Sequence, residues 1–162
     1  MLDPRQGYLV NMKVMTQLAM IPVLVKDQDE ALHFYTEKLG LEKRADQTFG
    51  PGMRLLTVAP KGQKRPEIAL AKPNAAVLGE ERTRELIERI GQGTLWVFGT
   101  DDCHKTYEVL QARGVKFLSA PTKQLHGVEA IFEDPYGNKF SLLQPSPDEQ
   151  VSVQGGTVGT AA

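Results

Sequence analysis

The amino-acid sequence predicts an α+β fold: two βαβββ modules in one chain, their sheets forming a partly open mixed β-barrel or cleft with the helices outside. Three observations lead there. The element order β-α-β-β-β is readable twice along the chain. The two copies run in step, since Asp102 follows Asp27 by 75 positions and Gly114 follows Gly40 by 74. A repeat of that length constrains a fold more than any single motif does. Each copy also carries one amphipathic helix, which covers one face of a small sheet and leaves the other face in need of a partner. Two such sheets side by side enclose a cleft, a common place for small ligands.

The first module is placed at 15–72. From Gln17, "QLAMIPVLVKD" is almost continuously apolar, which predicts a strand buried on both faces. In "DQDEALHFYTEKLG", Asp27 or Asp29 can cap a helix, and Ala31, Leu32, Phe34, Tyr35 and Leu39 form its apolar stripe. Gly40 suits the left-handed stop. "LEKRADQTF", "MRLLTVAP" and "PEIALAKP" read as three more strands, the last two joined by "PKGQKRP". Residues 73–93 are a connector whose helix has Leu86, Ile87 and Ile90 as apolar positions and ends at Gly91 and Gly93.

The second module is placed at 94–146. "TLWVFGTDD" is a strand, and "CHKTYEVLQARG" a helix with Tyr107, Val109 and Leu110 as its apolar face. "VKFLSAPTKQ" is a strand, and "GVEAIFEDPYGNKFSLLQP" a hairpin turning at Asp134–Asn138. Residues 1–14 read as an N-terminal extension and 147–162 as a disordered tail of small and polar residues. Met1, Met12 and Met15 all stand as possible starts.

The chain of 162 residues is long enough to build a core without staples. With 41% hydrophobic and 24% charged residues it has the composition of a soluble globular protein. A net charge of −1 gives no general attraction to nucleic acid or anionic membranes, and the short basic run Lys61–Arg65 reads as a solvated loop. No apolar run is long enough to span a bilayer. The single cysteine, Cys103, allows no internal disulfide, which fits a cytoplasmic protein.

"IPVLVKDQDEALHFYTEKLGL", "VFGTDDCHKTYEVLQARGVKF" and "FEDPYGNKFSLLQP" together resemble the vicinal oxygen chelate superfamily of glyoxalases, bleomycin resistance proteins and extradiol dioxygenases. The resemblance runs from about Met15 to Pro145. It implies a metal site with one His, Glu or Gln ligand on each of four strands. Aligned on Asp27, Asp102 and Gly137, those positions hold Met20, Ala69, Leu95 (Thr94 with a one-residue slip) and Ser141. None suits zinc, nickel, iron or manganese. His33, His104 and His126 have no ligand spacing. No metal and no cofactor is therefore expected, which disfavours metal-dependent glyoxalase I, extradiol dioxygenase and fosfomycin thiol-transfer chemistry.

The resemblance still implies a small-molecule cleft. Its expected lining is Met20, Pro22, Glu67 and Ala69 from the first module and Leu95, Glu129, Ser141 and Leu143 from the second. Arg54, charged at the start of an apolar strand, is a further ligand-binding candidate, weighed against an edge salt bridge. Glu129 is the one catalytic candidate, since a carboxylate in an apolar cleft can act as a base. Cys103 at a helix start lacks a clear activating partner, and Trp96 reads as core. The favoured reading is metal-independent binding of a small organic molecule by a homodimer. A glyoxalase-like lyase or isomerase using a cleft carboxylate or a displaced metal, and a protein-interaction module with a residual cleft, are the alternatives.

Overall fold

The computed structural model describes residues 15–147. The extension at 1–14 and, apart from Pro147, the expected tail lie outside the described residues. In chain order the elements are β1 (Met20–Leu24), α1 (Gln28–His33, continued by a π-helical stretch Phe34–Lys38), β2 (Glu42–Thr48), β3 (Arg54–Ala59) and β4 (Glu67–Ala71). Two connector helices follow, α2 (Ala75–Leu78) and α3 (Glu80–Glu88). The second unit contains β5 (Leu95–Gly99), α4 (Cys103–Ala112), β6 (Lys116–Gln124), β7 (Gly127–Glu133) and β8 (Lys139–Pro145).

The repeat is realised as two separate four-stranded sheets, ordered β1-β4-β3-β2 and β5-β8-β7-β6, with no closed barrel. In each, the first strand runs parallel to the last, and the other neighbours are antiparallel. Local chemistry places the helices. Asp27 accepts from the Glu30 backbone N–H at 2.9 Å, and Asp102 does the same for Lys105 at 3.0 Å. These bonds satisfy amides that have no partner in the first turn. Gly40 and Gly114 end the helical stretches at φ of 76° and 84°, a conformation that a Cβ would strain.

One core serves both units. Val23, Tyr35, Leu56, Val58 and Leu70 of the first join Leu110, Phe132, Phe140 and Leu142 of the second in a single buried cluster. Tyr35 packs edge-on against Phe140, with ring centroids 6.1 Å apart. The Asp134–Asn138 turn fastens the units together. Tyr35 donates its hydroxyl to Asp134 Oδ2 at 2.8 Å, and Asn138 Nδ2 donates to both Asp134 Oδ2 (2.7 Å) and Leu24 O (2.8 Å). Asp134 Oδ1 accepts from the Tyr136 and Asn138 amides, both at 2.9 Å. Tyr136 donates its hydroxyl to Asp27 O at 2.8 Å. Gly91 lies so close to this turn that a Cβ there would meet Tyr136 O at 2.5 Å, and its amide donates to Asn138 Oδ1 at 3.1 Å.

Three expectations about buried faces are corrected. β1 is an edge strand closed on one side only: Val23 is buried while Met20 and Pro22 are exposed. In the connector, Ile87 of α3 points outward, and Thr83 of α3 and Ile90, just past its end, are the buried positions. Thr83 can be buried because its hydroxyl donates to Gly79 O at 2.8 Å. In α4 the inward positions are Cys103 and Leu110, seven residues apart and so on one helical face, while Val109 turns outward.

Candidate functional site

The strands alternate, so each sheet turns one set of side chains to the common core and the other set away from it. On the first sheet the open face carries Met20 and Pro22 from β1, Glu67 and Ala69 from β4, and Thr57 from β3. On the second it carries Leu95 and Val97 from β5, Ser141 and Leu143 from β8, and Glu129 and Ile131 from β7. Eight of the nine expected lining residues therefore fall on these two faces. In the single chain the faces stay uncovered at their edge strands: Met20 is 40% exposed, Leu95 60% and Val97 59%.

Each face holds one carboxylate, fixed by a hydroxyl and a basic side chain. On the first sheet, the Thr57 hydroxyl donates to Glu67 Oε1 at 3.1 Å, and Arg65 pairs with the other oxygen. Thr57 Oγ1 also accepts from the Ala45 amide at 3.0 Å, beside the β-bulge of β2. On the second sheet, Ser141 donates to Glu129 Oε1 at 2.9 Å, and His126 Nε2 lies 2.9 Å from Glu129 Oε2. The β7–β8 hairpin closes in regular register, with Ile131 opposite Ser141 and Glu129 opposite Leu143, so Glu129 and Ser141 are diagonal neighbours on one face. Glu67 and Ser141 are themselves buried, at 8% and 3% exposed.

The four positions that the family would use for a metal do not fit one. Met20 offers a thioether, Ala69 and Leu95 offer no donor, and the Ser141 hydroxyl is already donated to Glu129. The slipped alternative, Thr94, has its hydroxyl oxygen occupied by the Lys139 amide at 3.1 Å. Among the described residues, no group of three or more His, Cys, Asp or Glu side chains is placed to hold a metal ion.

Arg54 belongs to the opposite side of β3, in phase with Leu56 and Val58. Its guanidinium is held in a fork by Asp46, at 2.8 and 2.9 Å, and by Asp29 at 2.7 Å. These hydrogen bonds push the Arg54 pKa up, and Arg54 holds the Asp46 carboxyl below its ordinary value. Arg54 also borders a cavity of about 280 Å³ at the end of the first sheet, with Phe49, Met53, Leu55, Val77 and Leu78. Cys103 is buried with its thiol 3.6 Å from Leu142 O. Burial, then Asp102 and Glu129, push its pKa up, the reverse of what a nucleophilic thiolate needs. Trp96 is half-buried against the core, and His33 and His104 are exposed.

The sequence reading missed three members of this arrangement: Thr57, Arg65 and His126. His126 has no ligand spacing in the sequence to single it out. It reaches Glu129 because Leu125–His126 form a tight turn between β6 and β7, folding residue 126 back over the strand that follows. Three-residue spacing along a strand would have set the two on opposite faces, so the only available signal was the turn itself.

Known proteins share this architecture. The model of the glyoxalase/bleomycin resistance protein/dioxygenase superfamily matches residues 17–142. The uncharacterized protein YurT of Bacillus subtilis (strain 168) is 34% identical over 128 residues, which is 79% of this chain and 98% of YurT. The crystal structure of UcmS2 superposes with a TM-score of 0.73 at 39% identity, covering 80% of this chain and 98% of that one. TnmS3, described as an antibiotic binding protein from Streptomyces sp. CB03234, has a TM-score of 0.66 at 31% identity, covering 83% of this chain and 100% of its own. No helix among the described residues is long and apolar enough to cross a membrane. With the repeated module, the late turn and the match over 17–142, the chain belongs to the glyoxalase/bleomycin resistance protein/dioxygenase superfamily.

Proposed function

We propose that this protein binds a small organic molecule without a metal, on the open sheet faces, and that a second copy completes the cleft. The observation that carries the proposal is the pairing of exposed Leu95, Val97 and Met20 with a carboxylate held in place on each face. Uncovered apolar side chains beside fixed polar groups are what ligand clefts and protein interfaces expose. Of the four edge strands, β1 and β5 carry the exposed Met20, Leu95 and Val97 and are the places where another copy can cover these faces. A relative described as antibiotic binding supports a binder over an enzyme. Turnover by Glu129 is the second reading. Ser141 and His126 each occupy one oxygen of its carboxylate and leave a lone pair on each for a substrate proton.

A thermal-shift screen over planar aromatic drugs, glycosides and small metabolites tests the proposal, paired with light scattering for the oligomer. Ligand at a hundred times Kd stabilises by about 2.7 kcal/mol, which a melting curve resolves easily. A dimer whose melting point rises with one compound class, undiminished by a chelator, is the expected result. A monomer with no responding class would favour an interaction module.

A further inference from the structure

A second cavity lies between the two modules, away from the open sheet faces. Its volume is about 260 Å³. One wall is the chain leaving α1, at Leu39 and Leu41, and the other is the helix-bearing side of the second sheet. The floor is aromatic and aliphatic: Phe98 and Phe132 stack at 6.2 Å and are flanked by Leu110 and Leu142. This is below the size of drug pockets, which begin near roughly 300 Å³, and suits a compact metabolite.

The polar groups at this cavity are few and differ in whether they are committed. Thr100 and Thr106 share one hydroxyl–hydroxyl hydrogen bond of 2.7 Å, and the Thr100 hydroxyl also lies 3.4 Å from Asp102 O. Lys61, an exposed residue of the β3–β4 loop, is the one charged residue of the lining, and no Asp or Glu borders the cavity. The Lys61 ammonium has no hydrogen bond or ion pair among the described residues. Its loop is nonetheless fixed, because Arg44 donates to Pro60 O at 3.2 Å and to Gln63 O at 2.8 Å on either side of it. The cavity thus has an apolar floor and one basic residue, Lys61, on an anchored part of its rim.

We propose that this inter-module cavity is a binding site for a small monoanion with a compact apolar body, such as a medium-chain or aryl-alkyl carboxylate, with its head group on Lys61. The apolar body displaces water from Phe98, Phe132 and Leu110, and the carboxylate supplies the negative charge that the rim lacks. The site is independent of the one on the open sheet faces, since it uses neither Glu67 nor Glu129.

Octanoate is a suitable probe, with 1-octanol and octylammonium as its neutral and cationic matches. Trp96, the only tryptophan, is two residues from Phe98 on the same strand face and reports on the floor. Octanoate is expected to change Trp96 fluorescence saturably and to shift the methyl resonances of Leu110 and Leu142, leaving those of Leu95 and Val97 in place. Octylammonium should bind least. Lys61→Glu, at an exposed loop position, should weaken octanoate by about fivefold or more and leave 1-octanol unchanged. Shifts confined to Leu95, Val97 and Leu143, equal octanoate binding by Lys61→Glu, or no saturable response would each overturn the proposal.

Discussion

The joint between the modules and the open faces of the sheets use polar side chains in opposite ways. At the joint, Asp134 accepts four hydrogen bonds, and Tyr35, Asn138 and Tyr136 each reach across or along the turn to a partner inside the chain. The apolar groups around it are buried. On the open faces, Glu67 and Glu129 are also held, but by one hydroxyl and one basic group each, and their apolar neighbours on the edge strands remain exposed. The joint is covered within one chain, whereas the faces keep Met20, Leu95 and Val97 exposed. The difference separates residues that make the fold from residues left available to something else.

The largest effect should come from breaking the joint. Asp134→Ala leaves two backbone amides, the Tyr35 hydroxyl and the Asn138 amide without their acceptor in a buried site, and should cost about 3 kcal/mol or more. Denaturant unfolding measures it, and a loss under about 1 kcal/mol would erase the contrast between joint and faces.

A smaller effect compares the two faces with each other. Glu67 is buried and its Thr57 partner is fully enclosed, so Glu67→Ala should cost about 1–2 kcal/mol. Glu129→Ala, beside an exposed histidine, should cost less than about 1 kcal/mol while lowering affinity for any ligand of the open faces. Equal losses of stability would mean that the deeper burial of Glu67 does not make it the more structural of the two carboxylates.

The joint should also show in the pH dependence. Burial pushes the Asp134 carboxyl above its ordinary value, against the hydrogen bonds from Asn138, Tyr35 and the Tyr136 and Asn138 amides. Between the ordinary carboxylate value and the raised one, the folded chain keeps a proton that the unfolded chain has lost, so stability falls as pH rises through that window. Asp134→Asn cannot titrate and should flatten that part of the stability curve. The smallest effect is expected at Cys103: its alkylation in the native state should be no faster than opening of the core, since the thiol is buried and its pKa raised.

The fold was legible because the signals that set it are local and occur twice. Asp27 and Asp102 as caps, Gly40 and Gly114 as stops, and the turn at Asp134 each act within a few residues of themselves. Which of the expected residues share a sheet face was legible through strand alternation, which needs only the strand and its parity. What was not legible depends on distant partners. Arg54 is claimed by Asp29 and Asp46, 25 and 8 residues away. The exposure of Met20 and Pro22 follows from β1 lying at a sheet edge, which an apolar strand sequence does not encode. The cavity at Lys61 arises only where two modules meet.

The clasp around Asp134 has one more consequence. Its bonds run from the β7–β8 turn to Leu24, Asp27 and Tyr35, all in the other module of the chain. Nothing in those contacts identifies which chain supplies each side. A module freed from its own partner meets an identical surface on any neighbouring copy, so exchange of halves between two chains would restore every bond of the clasp. Protein concentration, and the reach of residues 73–93, would decide whether such an exchange could compete with closure within one molecule.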